Sequence, residues 1–249
     1  SPGQTGGWWP WPTWTSPSTV RWMICSRSTT CFSCSATPSC ARRRQGSCSC
    51  RRTRTAPACG GLGSTVALAL ARVGVGRLVL ADFDIVEPTN LNRQQYFIDQ
   101  LGMPKVEALK ATIARVNPAV RVETWGEKLV PGTVASVFVG VDVLVEAFDR
   151  ADQKAMLVDA AMKAFPDKPI VLGSGMAGWG GNDRLRTRVS GSMTVCGDET
   201  SEAVPGRGLM APRVGIVAHM QANRVMELLL GPDEGLGPKL VTGRFDETC

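Results

Sequence analysis

The stretch Gly60-Gly61-Leu62-Gly63-Ser64 constrains this chain more tightly than any other. Closely spaced glycines let a backbone turn sharply and bring phosphate against the N–H groups of a starting helix. An acidic residue about 20 positions further on can take a ribose hydroxyl, and Asp82-Phe83-Asp84 stands at that distance. The cluster Asn90-Leu91-Asn92-Arg93-Gln94 follows. It is not part of an ordinary dinucleotide fingerprint. Side-chain amides and a guanidinium there suit a site that handles a triphosphate and moves charge on it, rather than one that only holds a redox cofactor.

The pattern around this loop is regular. Residues 64–73 read as a helix with a surface of Val, Leu and Ala, stopped by Gly74 and Gly76. Residues 77–81 read as a short buried strand ending at Asp82. A helix is expected over 104–116, with proline at its start and Asn117-Pro118 at its stop. A strand follows over 120–124, then a short helix or turn over 134–139. A buried strand over 141–145 runs into Glu146-Ala147-Phe148-Asp149. A helix over 151–165, a buried strand over 169–172 leading to Gly173-Ser174-Gly175, and a long helix over 212–230 complete the series. Strands alternating with helices predict an α/β chain, a Rossmann-like, doubly wound, mostly parallel sheet with helices on both faces. Ligands of such sheets sit at the carboxyl ends of strands. Asp82, Asp149 and Ser174 each follow a strand end, so they should line one crevice.

Composition divides the chain near residue 59. No Asp, Glu, Lys or Leu precedes that point, yet seven of the nine Cys, five of the seven Trp and eight Arg lie there. A stretch of that length in a globular protein would hold about five Leu and several acids. The formal net charge of the whole chain is +6, but residues 60–249 carry 20 Lys plus Arg against 22 Asp plus Glu, which is −2. The basic character belongs to the first segment. No nucleic-acid partner is expected from it, because Arg42-Arg43-Arg44 and Arg51-Arg52 have no aromatic or helical context. Cys31, Cys34, Cys48 and Cys50 imitate metal spacing but lie among Ser, Thr, Pro and Arg without pattern.

Residues 1–58 are therefore expected to be disordered, or an out-of-frame translation of a GC-rich gene, ahead of a nucleotide-binding domain over 59–249. The stretch 51–59, which should feed the glycine loop, has Pro57, three Arg and no Val, Ile or Leu. Buried on both faces, such a strand would be costly, and none is expected there. No apolar run approaches the roughly 18 residues a membrane-spanning helix needs. With few cysteines beyond residue 59, a reduced, cytoplasmic setting is expected.

Several of these motifs together resemble the ThiF/MoeB/ubiquitin-activating-enzyme family. They are the glycine loop, the run from Asp82 to Gln94, Gly102-Met103-Pro104-Lys105-Val106-Glu107, Arg115 with Asn117-Pro118, and Glu146-Ala147-Phe148-Asp149. Val195-Cys196-Gly197-Asp198 and Leu209-Met210-Ala211-Pro212-Arg213-Val214-Gly215 are most similar to its shorter ThiF branch. The resemblance covers roughly residues 59–231. It implies ATP-dependent adenylation of the C-terminal glycine carboxylate of ThiS, the ubiquitin-like sulfur carrier protein of thiamine biosynthesis, which ends in Gly-Gly. It implies ATP and Mg2+ as cofactors and a homodimer.

It also implies roles for individual residues. The amides of Gly60, Gly61 and Gly63 cradle phosphate, and Asp82 takes the ribose with Asp84 beside it. Asn90 and Gln94 orient oxygens, Arg93 and Lys105 place cations on the phosphates, and Asp149 holds magnesium. The chemistry agrees, since a carboxylate attacking a polyanion needs fixed positive charge on the phosphates.

Departures from the family pattern carry expectations too. Larger relatives hold zinc with two Cys-x-x-Cys pairs; residues 60–249 have none, so no zinc is expected. Some relatives carry a cysteine in the loop before the last long helix. Here only Cys196 is nearby, and a structural role is expected for it. An arginine supplied by a partner subunit's N-terminal helix would fall in the anomalous segment. His219, the only histidine, is expected in the core or a groove. Plainer readings stand beside these: Lys105 and Arg93 as solvated cations, Asp149 as a helix cap. Other functions considered are an NAD-dependent oxidoreductase, a molybdopterin-synthase-activating or tRNA-modifying dehydratase relative, and an inactive product.

Overall fold

The computed structural model describes residues 54–57 and 60–231, all within the unit Ser47–Cys249. Its strands are β1 (Arg54–Pro57), β2 (Arg77–Ala81), β3 (Arg121–Trp125), β4 (Val143–Glu146), β5 (Ile170–Gly173), β6 (Arg186–Ser190) and β7 (Met193–Gly197). Its helices are α1 (Gly61–Arg72), α2 (Lys105–Val116), α3 (Pro131–Val137), α4 (Ala151–Ala164) and α5 (Ala211–Leu230). One sheet runs in the order β3-β2-β1-β4-β5-β7-β6. All neighbours pair in parallel except β6 with β7. The fold is α/β, Rossmann-like and doubly wound.

The two-residue period of a strand explains the layers. In β2, Leu78 and Leu80 pack with α1, α2 and α5 residues such as Leu70, Leu109 and Val217. Val79 and Ala81 turn to the other face, with Val134 of α3 and Leu157 of α4. β4 divides likewise, Val143 and Val145 to the first cluster and Leu144 to the second. Strands covered on both faces read as unbroken apolar runs, and Leu78 to Ala81 and Val143 to Val145 are such runs, which made both strands legible. Each fully buried Leu or Val contributes about 1.5–3 kcal/mol.

The chain winds outward from β1 through β2 to β3, then restarts on the other side with β4 and β5. The switch lies between β1 and β4, and a crevice opens there at the carboxyl ends of the strands.

Four expectations need correction. A strand was not expected before the glycine loop, yet the backbone of Arg54–Pro57 occupies the centre of the sheet, paired Thr55↔Leu78 on one side and Thr55↔Val143 to Pro57↔Val145 on the other. Pairing with β2 stops at Thr55, so Pro57, which lacks an N–H, lies past that ladder. The rest of the anomalous segment, and the expectation about its origin, lies outside the described residues. Second, α1 begins at Gly61 rather than at residue 64, because the Ser64 N–H already bonds the Gly60 carbonyl at 2.9 Å. Third, the β6–β7 hairpin was not anticipated; β6 is wholly exposed and Val189 is its one apolar residue, so it carries no alternating hydrophobic signal. Fourth, His219 is exposed, because the buried face of α5 runs through Val214, Val217, Ala218, Gln221 and Val225 and leaves position 219 outside.

The loops after β5 and β7 cross closely. Gly197 has φ 132°, and a Cβ there would stand 1.8 Å from the Ser174 carbonyl oxygen. Gly175 has φ 73°, and its Cβ would lie 2.1 Å from Asp198 Oδ1. Gly197→Ala should therefore cost at least about 1–3 kcal/mol in backbone strain alone. The measurement is the thermal midpoint, which moves roughly 2–4 °C per kcal/mol in a protein of this size. An unchanged midpoint would show that the crossing loops separate freely.

Candidate active site

A cavity of about 870 Å³ occupies the switch point. Its floor begins at the start of α1. Gly60 is the N-cap and offers no side chain; no acidic residue lies in the first turn. The opening N–H groups of a helix have no intrahelical acceptors, and the dipole adds partial positive charge, so this end suits an anion. The approach is tight: a Cβ on Gly60 would lie 3.3 Å from the Ala147 carbonyl oxygen.

The β2 side of the cavity is built by a chain of bonds centred on Asp84. Its N–H donates to Asp82 Oδ1 at 2.9 Å, its carbonyl accepts the Lys105 N–H at 2.9 Å, and its carboxylate accepts from Lys105 Nζ at 2.7 Å. The Lys105 side chain is only 7% exposed, so a cation is held inside the wall beside a half-exposed partner. Arg93 lies over the glycine loop, its Cγ 3.5 Å from where a Gly61 Cβ would stand. Its guanidinium donates to the Thr89 carbonyl at 3.1 Å and to Asn92 Oδ1 at 2.8 Å. Gln94 also lines the cavity, and its buried Oε1 has no hydrogen-bond partner among the described residues. The whole turn is tied to α1, where the Gln95 N–H donates to Ser64 Oγ at 3.2 Å.

On the β4 side, Glu146 ends its strand with a fully buried side chain. Lys154 Nζ reaches it from α4 at 2.7 Å and also donates to the Gly173 carbonyl at 2.7 Å. The other Glu146 oxygen accepts the Phe148 N–H at 2.6 Å, which shapes the loop carrying Asp149. Burial pushes the Glu146 carboxyl above its ordinary value, against the pull of Lys154. Asp149 is exposed at the cavity wall. The α4 N-cap is Arg150 and no side chain caps it, so Asp149 is not consumed in capping.

Across the β5 end, the segment between β7 and α5 brings Ser201, Glu202, Ala203 and Leu209 to the cavity. Asp198 fastens it. This buried carboxylate accepts from the Thr200 and Ser201 N–H groups, from Ser201 Oγ at 2.5 Å and from Arg213 Nη2 at 2.6 Å. Burial would raise its pKa; the Ser201 hydroxyl, the two amides and the Arg213 charge outweigh that and hold it well below the usual carboxylate range. A carboxyl lowered in the folded state stabilises the fold above its unfolded value of about 3.9 and loses that contribution as pH falls below it. Stability by urea denaturation should therefore drop between pH 6 and pH 3, and the drop should be smaller for Asp198→Asn. Equal drops in both proteins would assign the acid sensitivity elsewhere.

Of the site residues expected from sequence, Gly60, Gly61, Asp82, Asp84, Arg93, Gln94, Lys105 and Asp149 line this one cavity. Gly63 and Asn90 do not. Gly63 is buried within α1. Asn90 is buried in the preceding turn, its Oδ1 accepting the Glu87 N–H at 2.9 Å, so it shapes the turn rather than facing a ligand. Cys196 is fully buried on β7 outside the cavity lining, and burial raises its thiol pKa, which suits a structural residue. Sequence reasoning missed Lys154 and Lys128, both in the wall. A lysine on the helix that follows a strand ending in a buried Glu was the available signal for Lys154. Lys128 lies in a polar connection that gave none.

Among the described residues no three His, Cys, Asp or Glu side chains converge as a metal cage. The donor set fits magnesium nonetheless, because Mg2+ commonly uses one or two carboxylates together with substrate phosphates. No helix among the described residues is long and apolar enough to cross a membrane.

Comparison with known proteins agrees with this geometry. A family model described as the ThiF family matches residues 58–245. The adenylyltransferase and sulfurtransferase MOCS3 of Dictyostelium discoideum is 30% identical over 184 residues, 71% of this chain but only 43% of that protein. The SAMP-activating enzyme E1 of Haloferax volcanii is 33% identical over 188 residues, 73% of this chain and 68% of that protein. Among solved structures, the E. coli tRNA N6-threonylcarbamoyladenosine dehydratase TcdA in complex with ATP superposes with a TM-score of 0.62 at 23% identity, covering 71% of this chain and 87% of that one. That likeness is one of fold.

Proposed function

Because the chain belongs to the ThiF family, we propose that it adenylates a carboxylic acid at the expense of ATP. An oxygen of the acid attacks the α-phosphorus, the bond from that phosphorus to the bridging oxygen breaks, and pyrophosphate leaves with the electron pair. The observation that carries this reading is the meeting of helix N–H groups, Arg93, Lys105, Asp82 and Asp149 around one cavity at the switch point. Two anions must come together, and the barrier falls only if cations and amides already stand where charge gathers. Arg93 and the start of α1 face the phosphates. Lys105, held by Asp84, adds a fixed charge beside them. Asp82 takes the ribose. Asp149 would hold magnesium, which would supply positive charge against the phosphates. No general base is needed, because the nucleophile is already ionised.

The acid we propose is the C-terminal glycine of a ubiquitin-like sulfur carrier ending in Gly-Gly. Relatives named as a sulfurtransferase and as a SAMP-activating E1 support a carrier over a small metabolite. Within that class we favour a ThiS-like carrier, on the stretches 195–198 and 209–215. A homodimer belongs to the same reading.

The test is ATP–pyrophosphate exchange with a ThiS-like carrier and with the same carrier amidated at its C-terminus. Exchange with the free acid alone is expected; none with any Gly-Gly carrier, in a chain that binds ATP, would overturn the reading. Asp82→Ala should act mainly on nucleotide binding, raising the Kd for ATP about ten-fold, or about 1.4 kcal/mol. An unaltered Kd would remove the ribose role.

A further inference from the structure

The nucleotide accounts for one end of the cavity only. Asp82, Lys105 and the glycine loop lie at the β1 and β2 side. Beyond β4 the cavity continues between Lys154, Ser174, Met176 and residues 201–203. None of the groups assigned to the nucleotide lies at this second end.

Lys154 is the cation there. Its ammonium has three N–H donors. One is taken by Glu146 Oε2 and one by the Gly173 carbonyl, each at 2.7 Å. The side chain is 26% exposed and lines the cavity, so the third donor is available to a ligand. Glu146 is fully buried behind it and is braced by the Phe148 N–H. The pair is charge-compensated, so the ammonium can orient an anion without holding it as a lone cation would. Beside it the chain passes through Gly173 and Gly175, where a Cβ would strike Leu62 and Asp198, so close internal packing fixes both positions. Glu202, the acidic residue lining this end, is exposed at its rim, where water screens it.

Resting on the adenylation reading, we propose that this second end is the subsite for the acid substrate's terminal carboxylate, and that Lys154 is the residue that receives it. The compensated ammonium fixes the carboxylate's direction toward the glycine loop while leaving its second oxygen reactive.

Binding to the full chain, saturated with a non-hydrolysable ATP analogue, gives a readout separate from turnover. The probes are a ThiS-like carrier ending in Gly-Gly and the same carrier with a C-terminal amide. The wild-type chain should bind the acid at least about ten-fold more tightly than the amide. Lys154→Met should abolish this preference and leave affinity for the analogue within about two-fold. That variant strands Glu146, so Lys154→Met with Glu146→Gln supplies a neutral pair and should show the same loss. A preference retained in either variant overturns the proposal, as does a parallel fall in analogue affinity. If the wild-type chain exchanges pyrophosphate with no Gly-Gly carrier, the adenylation reading fails and this subsite fails with it. If exchange proceeds and the variants still discriminate acid from amide, only the subsite fails.

Discussion

Arg93→Ala and Lys105→Ala should each lose about 2–4 kcal/mol of transition-state stabilisation, as removing one preorganised charge donor does elsewhere. In ATP–pyrophosphate exchange that is a slowing of roughly 30- to 1000-fold. The expectation rests on preorganisation. The Arg93 guanidinium is already fixed by the Thr89 carbonyl and Asn92, and its alkyl part lies against Gly61. The Lys105 ammonium is already buried and bonded at 2.7 Å to Asp84. Neither has to lose much side-chain freedom when charge develops, so their full electrostatic effect falls on the transition state.

The two substitutions should differ in their other effects. Among the described residues Arg93 bonds only the Thr89 carbonyl and Asn92, with no carboxylate, so its loss should leave thermal stability nearly unchanged. Lys105→Ala leaves the Asp84 carboxylate behind, but that side chain is 49% exposed and water can serve it, so the thermal midpoint should fall by only a few degrees. Arg93→Lys should recover little, because a point charge does not reproduce a planar fork. Exchange rates within about three-fold of wild type in both alanine variants would remove these cations from the mechanism.

What the residues disclosed, and what they hid, follows from how far each signal reaches. β2 and β4 were legible because both faces are covered, so Leu78 to Ala81 and Val143 to Val145 are apolar without a break. The crevice was legible because the ends of β2, β4 and β5 are marked by Asp82, Asp149 and Ser174, and parallel topology forces strand ends together. β1 was hidden because composition was the only signal available, while pairing is made by main chain. The β6–β7 hairpin was hidden because an exposed edge strand has no need of an apolar face.

Side-chain roles were harder than positions. Asn90 sits in the right motif, but the 3-10 turn it closes consumes its oxygen, which spacing cannot show. His219 was misplaced because helix phase over twenty residues is needed to separate the buried face from its neighbour. Lys154 and Glu146 are separated by a strand end, a loop and a helix turn, and only the fold brings their charges to 2.7 Å.

Arg213→Met should be among the most destabilising single changes in the described domain, about 3–5 kcal/mol, because it leaves a buried carboxylate unpaired. Both side chains of the Arg213–Asp198 pair are 2% exposed and 2.6 Å apart. Arg213 also donates to the Gly180 carbonyl, so one guanidinium ties the loop after β5, the turn after β7 and the start of α5. At roughly 2–4 °C per kcal/mol, the thermal midpoint should fall by about 6–20 °C. Stability alone would not distinguish this cluster from any buried pair; the position of the 201–203 segment does. Asp198 holds Ser201 through both its amide and its hydroxyl, and the neighbouring Glu202 and Ala203 line the cavity. Loosening that segment should therefore raise the KM for the carrier several-fold more than the KM for ATP, whose expected contacts lie toward β1 and β2. Adding Asp198→Leu to Arg213→Met removes the stranded charge and should restore part of the stability, as apolar replacement of buried pairs often does. It should not restore the carrier KM, because removing Asp198 takes away the acceptor of the Thr200 and Ser201 amides. Recovery of both quantities together would show that the pair only fills space and that the loop finds its place without it.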